Sequence, residues 1–260
     1  MDYFEKITTR PEYADNMLWN IPEQPQGDLN IIGGNSNSFN TEIKIAEFLS
    51  KNYPIKNLKN ILPDALKNKL PPLDNFLFLK STDSGSFADE EELKTVLNST
   101  DFNLILGDLS KNSVTSKAIS GACVFAEKPT IITRDTIDLL ASENPERLLM
   151  NSNLILFSTL PGLQKILHAV YYPKMLLLSS PLMQVAEILH KFTLSYPIRI
   201  ITFHAGQILI AENGNVKSIP IELTSYSPLT LWLGEPAAKI SVVNLYNPNN
   251  FIKATISAIF

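Results

Sequence analysis

The chain has 260 residues, of which 45% are hydrophobic and 18% charged, with a net charge of -4 and a single cysteine. That balance suits a globular core and excludes a disordered composition. The acidic balance excludes a chain-wide nucleic-acid footprint, and Lys44, Lys51, Lys56, Lys59, Lys67 and Lys69 are scattered among acids and asparagines instead of forming a basic stripe.

Residues 1–28 read as a polar, proline-bearing lead-in ending in PEQPQGD. LNIIGG then reads as a strand closed by two glycines, and NSNSFNTEIKIAEFLSKNY as a helix, with Ile43, Ala46, Phe48 and Leu49 at helical spacing. NILPDALKN is expected as a helix, NFLFLKS as a strand, DEEELKTVLNS as a helix and FNLILGD as a strand. SVTSKAISGACVFAE (helix), PTIITRD (strand), TIDLLASENPERLLM (helix), SNLILFS (strand) and LPGLQKILHAVYY (helix) continue the alternation. PLMQVAEILHKFT is the last helix before a strand, YPIRIITFHAG, and a hairpin turning at Glu212-Asn213-Gly214.

Near-continuous apolar strands separated by helices predict a parallel sheet covered on both faces. The fold class is therefore α/β, a three-layer sandwich whose mostly parallel central sheet is flanked by helices. With no internal repeat and no low-complexity linker, residues 29–260 are expected to form one domain. Apolar runs such as LILFSTLPGL break well before about 18 residues, so no membrane span is expected. The first residues have neither a basic n-region nor an apolar h-region, which leaves a cytoplasmic location as the expectation.

Ligands of open α/β sheets bind outside the carboxyl ends of the strands. Three loops fall there. Gly33, Gly34, Asn35 and Ser36 offer backbone N–H groups at the mouth of a helix, as a structural turn or a substrate loop. Gly107 and Asp108 follow a buried strand, and Ser110 or Ser113 is placed to cap the next helix. Arg134 and Asp135 close another strand, as an exposed ion pair or a helix cap. His204, in ITFHAGQ, can offer a hydrogen bond or charge to an anion, whereas His168 and His190 sit in helical patterns without partners at metal-ligand spacing. Cys123, in ISGACVFAE, excludes an internal disulfide and reads as a buried, inert thiol. Neither a GxSxG elbow nor an HExxH helix is present, and no carboxylate cluster suggests a metal cage.

In serial order and spacing, these segments resemble the ribokinase-like superfamily over roughly residues 20–260. Within it they look most like the NAD(P)H-hydrate dehydratase branch, whose relatives include hydroxyethylthiazole kinase. The family's opening His-Lys-Gly, strand and Gly-Gly-Ser correspond to Pro25-Gln26-Gly27 and DLNIIGGNSNSF. ILPDALKN and FLFLKSTDSGSF take the places of its proline-bearing helix start and its Ser/Thr-rich strand end. Its Gly-Pro-Gly-Leu-Gly falls on Gly107-Asp108-Leu109-Ser110-Lys111, and its Asp-Ala-Asp on Thr133-Arg134-Asp135. Its Thr-Pro-His-x-x-Glu falls on Ser158 to Leu163 without the histidine or the glutamate, and its Lys-Gly on His204-Ala205. Its Thr-Ala-Gly-Ser-Gly-Asp falls on Thr230-Leu231-Trp232-Leu233-Gly234-Glu235.

The resemblance implies ATP or ADP with Mg²⁺ held near Gly107, Asp108, Asp135, His204, Thr230 and Gly234. It implies Glu235 as base, and the Gly33–Ser36 loop over the substrate. The departures imply weakened chemistry, because a phosphate cradle needs converging N–H groups without Cβ obstruction. Trp232 and Leu233 fill the place of two small residues, Pro236 lacks an N–H, and Glu235 carries its carboxylate one methylene further out than aspartate. The expectation is a degenerate ribokinase-like protein that binds a small-molecule nucleotide with weak or lost catalysis. Two alternatives stay open: an active ATP- or ADP-dependent NAD(P)H-hydrate dehydratase or small-molecule kinase, and an unrelated α/β binding domain. Neither nucleic acid nor membrane is an expected partner, and self-association into a homo-oligomer stays open.

Overall fold

A computed structural model describes residues 2–143, 145–224, 226–227 and 233–260. In chain order the elements are β1 (Phe4–Lys6), α1 (Tyr13–Trp19), β2 (Gln26–Gly33), α2 (Asn40–Asn52), β3 (Ile55–Pro63), β4 (Phe76–Leu79), α3 (Glu90–Asn98) and β5 (Phe102–Gly107). Next come α4 (Ser113–Val124), β6 (Thr130–Thr133), α5 (Thr136–Ser142), α6 (Glu146–Leu149), β7 (Leu154–Thr159), α7 (Leu160–Ala169) and α8 (Leu182–Ser195). The chain ends with β8 (Arg199–His204), β9 (Gln207–Glu212), β10 (Asn215–Pro220), α9 (Glu235–Tyr246) and α10 (Phe251–Ile259).

The ten strands form one sheet in the order β1-β10-β9-β8-β7-β6-β5-β2-β3-β4. It is parallel from β8 to β4, and the β8-β9-β10 pairings are antiparallel, with the hairpin turning at Asn213-Gly214 as its sequence signals. Successive residues of each central strand face opposite sides. Leu104 and Leu106 point into one apolar layer with α1, α2, α9 and α10, and Ile105 points into the other with α3 to α8. Both faces are thus covered, as the apolar strands predict. The segment 2–28 carries β1, which runs parallel to β10, and α1, which packs against α10.

Two expected helices are corrected. NILPDALKN is not helical: Ile55–Pro63 is β3, paired in register with β2, and only Asp64–Leu66 forms a single 3-10 turn. Ile61 and Leu62 are fully buried on opposite faces of the sheet, a period-2 pattern that the short apolar run conceals. The segment TIDLLASENPERLLM divides into α5 and α6, because Pro145 has no N–H to continue a helical ladder.

The reversal in strand order positions the site. The chain runs outward through β2, β3 and β4, then returns to lay β5 on the other side of β2 before moving away through β6, β7 and β8. The crevice outside the carboxyl ends of β2 and β5 is therefore the topological switch point, where ligands of open α/β sheets are held. Beneath it, Asn30 of β2 donates to the Val96 carbonyl and Asn103 of β5 to the Leu97 carbonyl. These bonds fasten the last turn of α3 to the sheet.

Candidate functional site

Gly33, Gly34, Asn35, Gly107, Asp108 and Asp135 meet at this switch point. The Gly34 N–H donates to the Gly107 carbonyl at 2.9 Å, and the Asn35 amide donates to the Asp108 carbonyl. Gly107 has φ +113, and a Cβ there would stand 2.2 Å from Asp135 Oδ1. Glycine is required twice over, for the backbone angle and for the close approach of the carboxylate.

Asp135 stands at the N-cap position of α5 but does not cap it. Its oxygens accept instead from the Asp108 and Leu109 N–H groups, at 2.9 and 3.2 Å, so the loop after β6 holds the loop after β5. Neither Ser110 nor Ser113 caps α4; Asn112 does, accepting from the Thr115 N–H. Ser36 belongs to the same polar rim, donating from its hydroxyl to the Ser84 carbonyl and from its N–H to that of Gly85.

Asp108 and Arg134 both adopt left-handed backbone, φ +54 and +57, which costs L-residues about 1–2 kcal/mol each. An end-on ion pair locks them together: Arg134 Nη2 to Asp108 Oδ1 at 2.8 Å and Nη1 to Oδ2 at 3.2 Å. Both side chains are only 15% exposed, so the pair differs in partner and in exposure from the Arg134–Asp135 pair that the sequence suggests. Thr41 of α2 adds a donor to Asp108 Oδ2 at 2.8 Å.

Glu42 has no place in the sequence reading. It is fully buried in the first turn of α2, and neither carboxyl oxygen has a hydrogen-bond partner among the other described residues. Oε1 occupies the space that a Cβ on Gly33 would need, 2.4 Å from that position. Burial, above all, lifts its pKa from the usual carboxylate range to about 8; its own backbone N–H and Arg134 oppose the rise, and Asp108 and Asp135 add to it. Its signal was available: Glu42, Ile45, Ala46 and Leu49 are spaced i, i+3, i+4, i+7 and are the buried face of α2. A carboxylate on an apolar helical stripe was the mark to find.

Gly234 caps α9 with φ +94 and packs at the end of β5, where a Cβ would stand 2.8 Å from Leu106 Cδ2. The head of α9 therefore reaches the same strand end as Gly107. Pro236 lies in the first turn and supplies no N–H, while Glu235 is exposed. Thr230, Leu231 and Trp232 lie outside the described residues. His204 lies apart, at the end of β8 and three strands from β5. It is buried, with Nε2 2.7 Å from the Ser180 carbonyl. Among the described residues no three His, Cys, Asp or Glu side chains gather in a way that could hold a metal ion.

No protein-family model and no curated protein matches the chain in sequence. Solved structures do resemble it in shape. Hypothetical protein SMU.573 of Streptococcus mutans superposes with a TM-score of 0.63 at 13% identity, over 95% of this chain and 86% of its own. Bacillus subtilis YxkO, a member of the UPF0031 family described as a candidate kinase, gives 0.62 at 14% identity over 97% and 87%. A hydroxyethylthiazole kinase protein of Pyrococcus horikoshii gives 0.54 at 12% identity over 94% and 80%. The fold is thus that of the ribokinase-like α/β kinases, as the serial order of the sequence segments implies.

Proposed function

We propose that the protein binds a nucleotide, ATP or ADP with Mg²⁺ carried on its phosphates, in the crevice at the β2/β5 switch point, and that phosphoryl transfer is weak or lost. The observation that carries this reading is the convergence of the Gly33–Ser36 loop, the Gly107–Asp108 loop held by Asp135, and the Gly234 head of α9 on one strand edge. A helix head offers a phosphate group backbone N–H donors and a favourable dipole. Mg²⁺ needs no dedicated protein cage, because it binds largely through phosphate oxygens and water.

Two features support weakened chemistry. Pro236 withdraws a donor from the first turn of α9, and loss of one preorganised donor typically costs roughly 10²–10³ in rate. The Asp108 carboxylate is already committed to Arg134 and Thr41. The exposed carboxylate of Glu235 at the helix head favours the alternative of a slow active enzyme with Glu235 as base. His204 takes no part in this proposal, because it is buried three strands from β5 with Nε2 on the Ser180 carbonyl.

Thermal-shift measurements with ATP, ADP, NADH and NADPH test the reading. A ligand at about 100 times its Kd adds roughly 2.7 kcal/mol to stability, a clear rise in Tm. No rise with any of the four at millimolar concentration would sink it. Phosphate release compared between the native chain and Glu235→Gln separates the two forms: loss of a measurable rate assigns Glu235 as base, and an unchanged rate removes it.

A further inference from the structure

Beside the switch-point crevice three buried groups have no hydrogen-bond partner among the other described residues: both oxygens of Glu42, Nε of Arg134 and the hydroxyl of Thr136. A guanidinium has five N–H donors. Asp108 takes the Nη1 and Nη2 end, which leaves the Nε edge facing protein with nothing to receive it. The charged groups acting on Glu42 are Asp108 from the β5 loop and Arg134 and Asp135 from the β6 loop, two acids and one base. Thr41, the residue before Glu42, already bonds Asp108 to the same helical turn.

We propose that Glu42 is a proton-operated positioning residue of the crevice. In its neutral form it leaves the Arg134 guanidinium on Asp108 and the two loops closed on each other; in its ionised form it draws the Nε edge of Arg134 toward itself and loosens Asp108. A hydrogen bond between charged partners is roughly twice as strong as one between neutral partners, so ionisation makes Glu42 a competitor for the guanidinium. Asp108 and Arg134 are strained, because each is held in left-handed backbone that their ion pair helps to maintain. Their movement reaches the ligand loop directly, through the Asn35 bond to the Asp108 carbonyl and the Gly34 bond to the Gly107 carbonyl. The bound proton itself moves only between the Glu42 carboxyl and solvent.

The consequence for a ligand rests on the nucleotide reading above, whereas the switch itself does not. The deciding experiment is therefore made first without ligand. Carboxyl ¹³C and arginine ¹⁵Nε spectra are recorded from pH 6 to 10 on the native chain, Glu42→Gln and Asp108→Asn. Glu42 is expected to titrate near 8, with the Arg134 Nε resonance moving at the same midpoint. In Glu42→Gln that movement disappears, and in Asp108→Asn the resonance already lies at its alkaline position at pH 7. An Arg134 Nε signal that stays fixed while Glu42 titrates overturns the proposal, as does a Glu42 carboxyl that titrates as an ordinary surface glutamate. Both readings need only the native chain, so a variant that fails to fold does not blunt them. In a second arm, Mg-ADP affinity is expected to fall several-fold between pH 7 and 9 in the native chain and to stay level in Glu42→Gln. ADP that binds with the same pH dependence in both overturns the link to the ligand; ADP that binds at no pH overturns the nucleotide reading and leaves the ligand-free spectra to decide the switch.

Discussion

Glu42 is the residue at which stability and protonation meet. Its pKa is raised to about 8 in the folded chain, from 4.5 when exposed, so the native state holds a proton that the unfolded chain releases. The stability this group contributes is fully present below about pH 4.5 and is lost as pH rises through about 8. Glu42→Gln, neutral at every pH, should therefore gain stability relative to the native chain as pH is raised from 5 to 8. Urea unfolding at the two pH values checks the sign; an equal difference at both would show that Glu42 ionises normally. Single residues were only partly legible in the sequence. Gly107, Asp108 and Asp135 announce themselves by standing at strand ends. The partners of Asp135 do not, because a carboxylate at a helix start reads as a cap, and only the approach of two loops separated by a helix turns it toward the Asp108 and Leu109 amides.

At the scale of elements, helix starts matter most, because several of them border the crevice. Asn112 closes the first turn of α4 through the Thr115 N–H, and its amide also reaches the Thr115 and Ser84 hydroxyls. Asn112→Ala is expected to cost about 1 kcal/mol, the usual worth of such a cap, and to loosen the polar rim around Ser84. Chemical denaturation measures the first effect, and faster amide exchange of residues 84–86 the second; an unchanged midpoint would deny the cap its role. Most elements could be read from periodicity, since α3, α4, α7 and α8 carry their apolar residues at helical spacing. β3 could not, because its inner half is a continuous apolar run flanked by lysines, asparagines and proline, and such a run carries the same pattern as a buried helical turn. What decides between them is the register with β2, a long-range pairing that no local window contains.

For the molecule as a whole, the order of segments implied the ribokinase-like fold although no family model and no curated protein matches the sequence, because that fold is written in the alternation of elements more than in individual residues. Cys123 reports on that whole. It is fully buried within α4, and burial pushes its thiol up to about 12, so the reactive thiolate is scarce while the fold persists. Thiol labelling should proceed at the rate of global unfolding and rise with denaturant in step with it. Fast labelling of the native chain would show that the α4 layer opens by itself. The switch point also sets an order of assembly. β2 and β3 can pair as soon as both exist, but the crevice needs β5, and its Asn35–Asp108 bond joins residues 73 apart in sequence. The head of α9 closes on Leu106 from further away still. Loop closure between distant residues must be met before their contacts return anything, at about 0.6 kcal/mol for each doubling of loop length. A chain growing from its first residue thus builds the β2–β4 wing early and completes the switch-point crevice only when the C-terminal helices arrive, so a shortened product would carry most of a sheet and an unfinished crevice.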